Sequence, residues 1–252
     1  MGRIVPRVRF VDVRWVDETD STNSRLLDEA RAGAPEGVVL VADHQTAGRG
    51  RLGRRWEAPP GSSLLVSVLL RPTVAVERAH LVTMAAGLAA SDACEAVAGL
   101  RPGLKWPNDL VVDDAKLAGL LAESVVDGDA LRALVVGMGL NVTAAPAEAA
   151  TSLAAATGAT VDRRPLLDAW LERLDARLDA LDEVLADYRA RCATLGRDVR
   201  VERPAGPALE GTAVDVTDAG HLVVDARGQR VVVAVGDVVH VRPSRGGSRT
   251  RW

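Results

Sequence analysis

The stretch Leu104–Val142, LKWPNDLVVDDAKLAGLLAESVVDGDALRALVVGMGLNV, decides the fold. Its three strand-length runs, Leu104–Val112, Lys116–Val126 and Leu131–Val142, are separated by turns at Asp113-Asp114 and at Asp127-Gly128-Asp129. Runs of strand length punctuated by Asp and Gly read as consecutive β-strands, and connections this short favour antiparallel pairing. Val135–Val142 within the third run is apolar throughout. Within it, Gly137, Gly139 and Asn141 share one face by the two-residue period of a strand, so that face is nearly flat. Either another element packs closely there, or a compact ligand ring lies on the sheet with Asn141 at its edge.

Outward on the N-terminal side, Phe10–Val16 and Val38–Ala42 read as strands, with a helix between them. Asp20, Ser21, Thr22 and Asn23 suit its N-cap, and Gly33 and Pro35 end it. Ser63–Leu70 is a buried strand stopped by Arg71-Pro72, and Val76–Val97 is Ala-rich with helical period. On the C-terminal side, Pro165 opens an amphipathic helix predicted to run to about Leu195, with Leu166, Trp170, Leu174, Leu178, Leu181 and Leu185 on one stripe. After Gly196 the pattern changes to short strands, Val199–Glu202, Thr212–Val216, His221–Asp225 and Arg230–Val241, broken by Gly and Asp turns. The expected organisation is an α/β (α+β) domain over residues 1–195, a small β-barrel-like module over 196–245 and a disordered tail over 246–252.

The 252 residues carry a formal net charge of -3 and are 48% apolar. They can bury a sizeable core, and nothing in the balance suggests general affinity for nucleic acid or an anionic membrane. Any anion is therefore held locally. No stretch is expected to reach the ~18–20 apolar residues of a membrane span, and MGRIVPRVRF lacks a signal-peptide core. Cys94 and Cys192 lack disulfide or zinc spacing, which fits a reducing, cytoplasmic location.

Residues 43–61 read as a long loop, and long loops in compact domains are commonly functional. At their centre, Gly48-Arg49-Gly50-Arg51-Leu52-Gly53-Arg54-Arg55-Trp56 combines arginines with glycines and no acid. Glycines allow close approach of backbone N–H groups to an anion, and guanidinium forks bind phosphate oxygens in pairs. The competing reading is a solvated basic loop. The glycines also satisfy G-x-G-x-x-G, but a dinucleotide site needs a helix to start there, whereas Ala58-Pro59-Pro60-Gly61 and another strand follow. Lys105-Trp106-Pro107-Asn108-Asp109 places a lysine at a strand end and an acid in a turn. Lys116 opens an apolar strand, which is costly unless its ammonium meets an anion. Ser21, Thr22 and Asn23 serve as caps or read a polar ligand. His44, His80, His221 and His240 show no triad or metal spacing, and neither G-x-S-x-G nor Walker A is present.

Together, Ser21-Thr22-Asn23, Gln45 ahead of Gly48-Arg-Gly-Arg51, Lys105-Trp-Pro-Asn-Asp109, Lys116-Leu-Ala-Gly119 and Gly139-Leu-Asn141 resemble the biotin protein ligase family in order and spacing, over roughly residues 10–245. The resemblance implies a mixed-sheet catalytic domain of the biotin/lipoate ligase type followed by a small SH3-like β-barrel. It implies ATP-dependent ligation of biotin to a lysine of the biotin carboxyl carrier domain of acetyl-CoA or a related acyl-CoA carboxylase. The reaction would pass through biotinyl-5'-adenylate, releasing pyrophosphate and then AMP, with ATP and biotin as substrates and Mg2+ as cofactor. Lys116, Arg49 and Arg51 would be catalytic. Ser21, Thr22, Asn23, Gln45, Gly48 and Gly119 would join them around biotin, while Arg54, Trp56, Lys105, Asn108, Asp109 and Asn141 would join Arg51 around the nucleotide, with Asp109 near the metal. Because the catalytic pattern starts by about Phe10, no DNA-binding segment is expected, and the chain would be a monomer or weak dimer. The rivals are a lipoate or octanoate ligase and a non-enzymatic biotin-sensing regulator. The relatives of the first kind resemble this sequence less at Gly48–Arg51 and Trp106-Pro107.

Overall fold

The computed structural model describes residues 9–147, 149–204 and 206–241, so the tail expected at 246–252 lies outside the described residues. A seven-stranded mixed sheet forms the first domain from β1 (Asp12–Thr19), β2 (Val38–Gln45), β3 (Ser63–Leu70), β4 (Gly103–Lys105), β5 (Asp109–Val112), β6 (Ala115–Asp127) and β7 (Ala130–Asn141), in spatial order β1-β2-β3-β7-β6-β5-β4. β1 and β2 pair in parallel across helix α1 (Thr22–Arg31), and the remaining pairs are antiparallel.

The alternation of side chains divides this sheet into two unequal faces. Leu64, Val66 and Val68 of β3 and Val136, Met138 and Leu140 of β7 enter the main core together with α2 (Ala79–Ala98) and α4 (Arg163–Asp179). On the opposite face, Leu69, Val135 and Leu40 pack against Leu26, Leu27 and Ala30 of α1. That helix covers only one end. Farther along β7 the same face carries Gly137 and Gly139, so the layer of side chains is missing where α1 begins.

Five antiparallel strands, β8 (Asp198–Glu202), β9 (Leu209–Val216), β10 (Leu222–Ala226), β11 (Gln229–Val233) and β12 (Asp237–His240), form the second sheet in the order β11-β10-β9-β8-β12. It docks on the first domain through a shared apolar core and through polar contacts that are mostly part-buried. Trp106 Nε1 donates to the Gly220 carbonyl at 2.9 Å, the Trp106 N–H to Thr194 Oγ1 at 3.0 Å, and Arg189 Nε to the Val216 carbonyl at 2.7 Å. The His240 ring pairs with Asp114 at 2.9 Å.

Several boundaries differ from the sequence expectation. The run Leu104–Val112 is a hairpin, β4-β5, turning through a cis Trp106–Pro107 bond. The run Arg230–Val241 is likewise broken between β11 and β12. The single helix expected from Pro165 to about Leu195 is two, α4 and α5 (Leu181–Arg191), because Ala180 leaves helical geometry at φ -123° and ψ 41°. No glycine or proline marks the break. It redirects α5 toward α2, where Arg177 and Arg191 both grip Asp92, at 2.6 and 2.7 Å. A short helix α3 (Leu153–Thr157), capped by Ser152, was not expected. Finally, Val76–Ala98 does have the length and composition of a membrane span. Here it is the core helix under the sheet, with most residues from Leu81 to Cys94 buried.

Candidate active site

The site lies where α1 starts above the glycine face of β7. Ser21 is the N-cap and its hydroxyl accepts from the Ser24 N–H at 3.4 Å, so capping uses it directly. Thr22 donates its backbone N–H to Gln45 Oε1 at 2.8 Å. With that oxygen engaged, the Gln45 amide turns its Nε2 donors elsewhere. Buried Ser67 of β3 lies 2.7 Å from Thr22 Oγ1 and 2.6 Å from Asn23 Oδ1. Asn23 Nδ2 donates to the Leu121 carbonyl at 3.1 Å and to Glu123 Oε2 at 2.9 Å. Both ends of the Asn23 amide are thus engaged by protein, directly over Gly137, where an added Cβ would lie 2.9 Å from Asn23 Cγ. A serine on the neighbouring strand and a glycine beneath are what let this amide lie on the sheet.

The arginine loop is more ordered than the sequence suggests. Gly50 and Arg54 close a tight turn (N–H to carbonyl, 2.8 Å), Arg49 and Arg55 form a β-bridge, and the Trp56 N–H reaches the Gly48 carbonyl at 3.0 Å. A Cβ on Gly48 would lie 3.0 Å from Gln45 Nε2 and nearer still to the Trp56 backbone. Gly48 therefore closes the base of the loop. Leu52 at the tip has φ 56° and is exposed. The loop is fastened to three other parts of the chain: Arg49 Nη2 to Glu123 Oε1 at 2.7 Å, Arg51 Nη1 to Asn108 Oδ1 at 3.2 Å, and Arg54 to Asp237 of β12. Burial, partly offset by Asp109, lowers the pKa of the Arg51 guanidinium from its ordinary value.

Trp56 fills the missing side-chain layer. A Cβ on Gly139 would fall 2.6 Å from its Nε1 and 2.7 Å from its Cζ2, and one on Gly119 would fall 3.1 Å from its Cζ3. Of the two alternatives for the flat face, the structure shows packing by an element of the chain, and it comes from the loop. Lys116 extends over Gly119 beside the indole, 5.6 Å from the ring centroid, with Nζ 2.7 Å from Asp109 Oδ1. Its backbone is pinned by Ala149–Thr151, through the Lys116 N–H to the Ala149 carbonyl at 3.0 Å and the Thr151 N–H to the Lys116 carbonyl at 2.9 Å.

One cleft is lined by Ser21, Thr22, Asn23, Gln45, Arg49, Arg51, Arg54, Trp56, Asn108, Asp109, Lys116 and Gly119. Gly48, Lys105 and Asn141 do not line it. Lys105 is held near Asp109 and Asp114, and burial lowers the pKa of its ammonium. Asn141 is buried, contacting Ser63 and donating to the Thr151 carbonyl at 3.0 Å; it holds the strap that pins Lys116. Sequence reasoning missed Arg55, Asp237, Glu123 and Ser67. Arg55 was visible in the loop, whereas the other three are single polar residues in strands with no motif around them. Among the described residues, no three His, Cys, Asp or Glu side chains gather to hold a metal ion.

The chain matches the Biotin/lipoate A/B protein ligase family over residues 15–141 and the Biotin protein ligase C terminal domain over residues 194–241. It is 45% identical to the biotin–(acetyl-CoA-carboxylase) ligase of Mycobacterium tuberculosis, a match covering 93% of this chain and 90% of that one. It is 32% identical to the ligase of the same name from Paracoccus denitrificans, covering 87% and 97%. A solved structure of the Aquifex aeolicus biotin protein ligase in complex with biotin and ATP superposes with a TM-score of 0.78 at 30% identity, over 93% of this chain and all of that one. With the cleft, the two-sheet architecture and both sequence matches in agreement, the chain belongs to the biotin protein ligase family.

Proposed function

We propose that this cleft activates biotin with ATP and passes it to a lysine of a carboxylase carrier domain. The observation that carries the reading is the convergence, from separate elements, of Arg49, Arg51 and Lys116 on a flat glycine strip next to the polar start of α1. The cations suit two anions that must meet, and the cleft between Trp56 and the polar start of α1 suits a compact ring. Biotin's carboxylate oxygen attacks the ATP α-phosphorus and pyrophosphate leaves, giving the acyl-adenylate. The neutral amine of the acceptor lysine then attacks the acyl carbon and AMP departs. Repulsion between carboxylate and phosphate opposes the first step, and Arg49, Arg51 and Lys116 offset it.

In this reading Ser21, Thr22 and Gln45 face the ring end of biotin, with the free Nε2 of Gln45 as a donor to a carbonyl oxygen. Asn23 sets the floor, and Trp56 covers the acid and borders the nucleotide. Asn108 and Asp109 stand on the nucleotide side, supported by Lys105, while Asn141 acts through the strap behind Lys116. Lys116 leaves Asp109 for the ligand junction as substrates enter. Asp109 alone, paired to Lys116, does not make a resident magnesium site. Mg2+ fits better as part of the incoming nucleotide, where phosphates supply most ligands and a single carboxylate suffices.

The test is exchange of labelled pyrophosphate into ATP with biotin, lipoate or octanoate as the acid. Biotin alone should support rapid exchange. Preference for lipoate or octanoate would overturn the substrate assignment, and no exchange with any acid would overturn the adenylating role.

A further inference from the structure

Glu123 stands on β6, four residues beyond Gly119, and divides its carboxylate between two parts of the site. Oε2 accepts from the Asn23 amide at the pocket floor, and Oε1 meets the Arg49 guanidinium of the loop at 2.7 Å. We propose that Glu123 is a positioning residue for the ligation reaction, joining floor and loop so that Arg49 is already aimed when the acid arrives. The proposal rests on the cleft being the biotin-adenylating site.

The geometry supports this in three steps. Asn23 has no donor left for a ligand, since its Nδ2 serves Leu121 and Glu123 and its Oδ1 meets Ser67. It is a fixed spacer on Gly137, and Glu123 is therefore tied to a rigid point. Arg49 is otherwise weakly held: its remaining side-chain bond is to Ser24 Oγ at 3.4 Å, and its side chain is about half exposed. An arginine has much rotamer freedom to lose on meeting an anion, and an ion pair that removes this freedom beforehand lowers the cost of binding. A partly exposed ion pair contributes little to stability, so its effect appears in binding and in loop mobility.

Glu123→Gln keeps the shape and removes the charge, and Glu123→Ala removes both contacts. In biotin-dependent pyrophosphate exchange, Glu123→Gln should raise KM for biotin about three- to tenfold, the factor expected for ordering one rotamer-rich side chain, with kcat within about twofold. On an Arg49→Met background the same substitution should leave KM unchanged. Without any ligand, trypsin should cut after the loop arginines faster in both Glu123 variants than in the parent, as circular dichroism confirms equal folding. Unchanged KM, or an equal rise on the Arg49→Met background, would overturn the proposal. So would unchanged cleavage. If the parent supports no biotin-dependent exchange, the functional reading fails, while the trypsin comparison still decides whether Glu123 restrains Arg49.

Discussion

Gly137 and Gly139 occupy the same face of the same strand, yet alanine at each should fail in a different way. At Gly137 the new Cβ would lie 2.1 Å from Asn23 Oδ1 and 2.9 Å from its Cγ, so the amide must retreat by roughly an ångström or more to reach ordinary contact distance. It cannot do so freely, because Ser67, Leu121 and Glu123 hold it. Losing or stretching those three contacts costs about 1 kcal/mol for each neutral one and about 2 kcal/mol for the charged one, roughly 4 kcal/mol together. For a chain of this size that lowers Tm by roughly 8–16 °C. At Gly139 the obstacle is Trp56, 2.6 Å away at Nε1. The indole belongs to a loop, its Nε1 has no hydrogen-bond partner, and it can swing off the sheet. The lost contact, about 1 kcal/mol, is offset by the ~0.5–1 kcal/mol that alanine gains over glycine in a strand, so Tm should move by less than about 3 °C. Pyrophosphate exchange should nevertheless fall steeply, because the methyl stands where the ligand and Trp56 need a flat surface. Thermal unfolding by circular dichroism and exchange assays on both variants test this. If Gly137→Ala melts within 3 °C of the parent, or Gly139→Ala is the less stable of the two, the account of the two glycines is wrong.

Lys116→Ala should reduce biotin-dependent exchange by about a hundredfold or more, while Tm changes little because the Lys116–Asp109 pair is partly exposed; exchange kinetics and melting on one preparation check both. Trp106→Phe removes the donor to Gly220 across the domain junction and leaves a small cavity, costing about 2–4 kcal/mol in urea unfolding. The junction should also weaken in acid. Burial lowers the pKa of the His240 imidazole, with Lys105 and Arg197 acting in the same direction and Asp114 opposing them, while its hydrogen bond to Asp114 holds that carboxyl below its ordinary value. The unfolded chain therefore takes up a proton at His240 more readily, and stability falls as pH drops below the ordinary histidine value; Asp114 adds a loss only at much lower pH. His240→Asn should flatten the pH dependence of Tm between about pH 7 and 5, and an unchanged slope would assign that dependence elsewhere.

The sequence by itself determined most elements of the main sheet and the chemistry at its centre. Alternating apolar runs and Asp-Gly turns fix local strand geometry, and Gly137, Gly139 and the arginine loop are legible because backbone freedom and charge are properties of single residues. The Ala180 break was not legible, since it leaves the hydrophobic pattern continuous, whereas the turn within Leu104–Val112 is marked by Pro107, Asn108 and Asp109. The division of labour within the site was also decided only by the tertiary structure. Asn141 and Asn23 read as ligand-facing amides, but Asn141 serves the strap behind Lys116 and Asn23 is spent on Ser67, Leu121 and Glu123. Glu123 and Asp237 reach the loop only because the sheet and the second domain bring them there. A residue's chemical capacity is local, whereas the partner that consumes it is set by which strands and helices the fold places side by side.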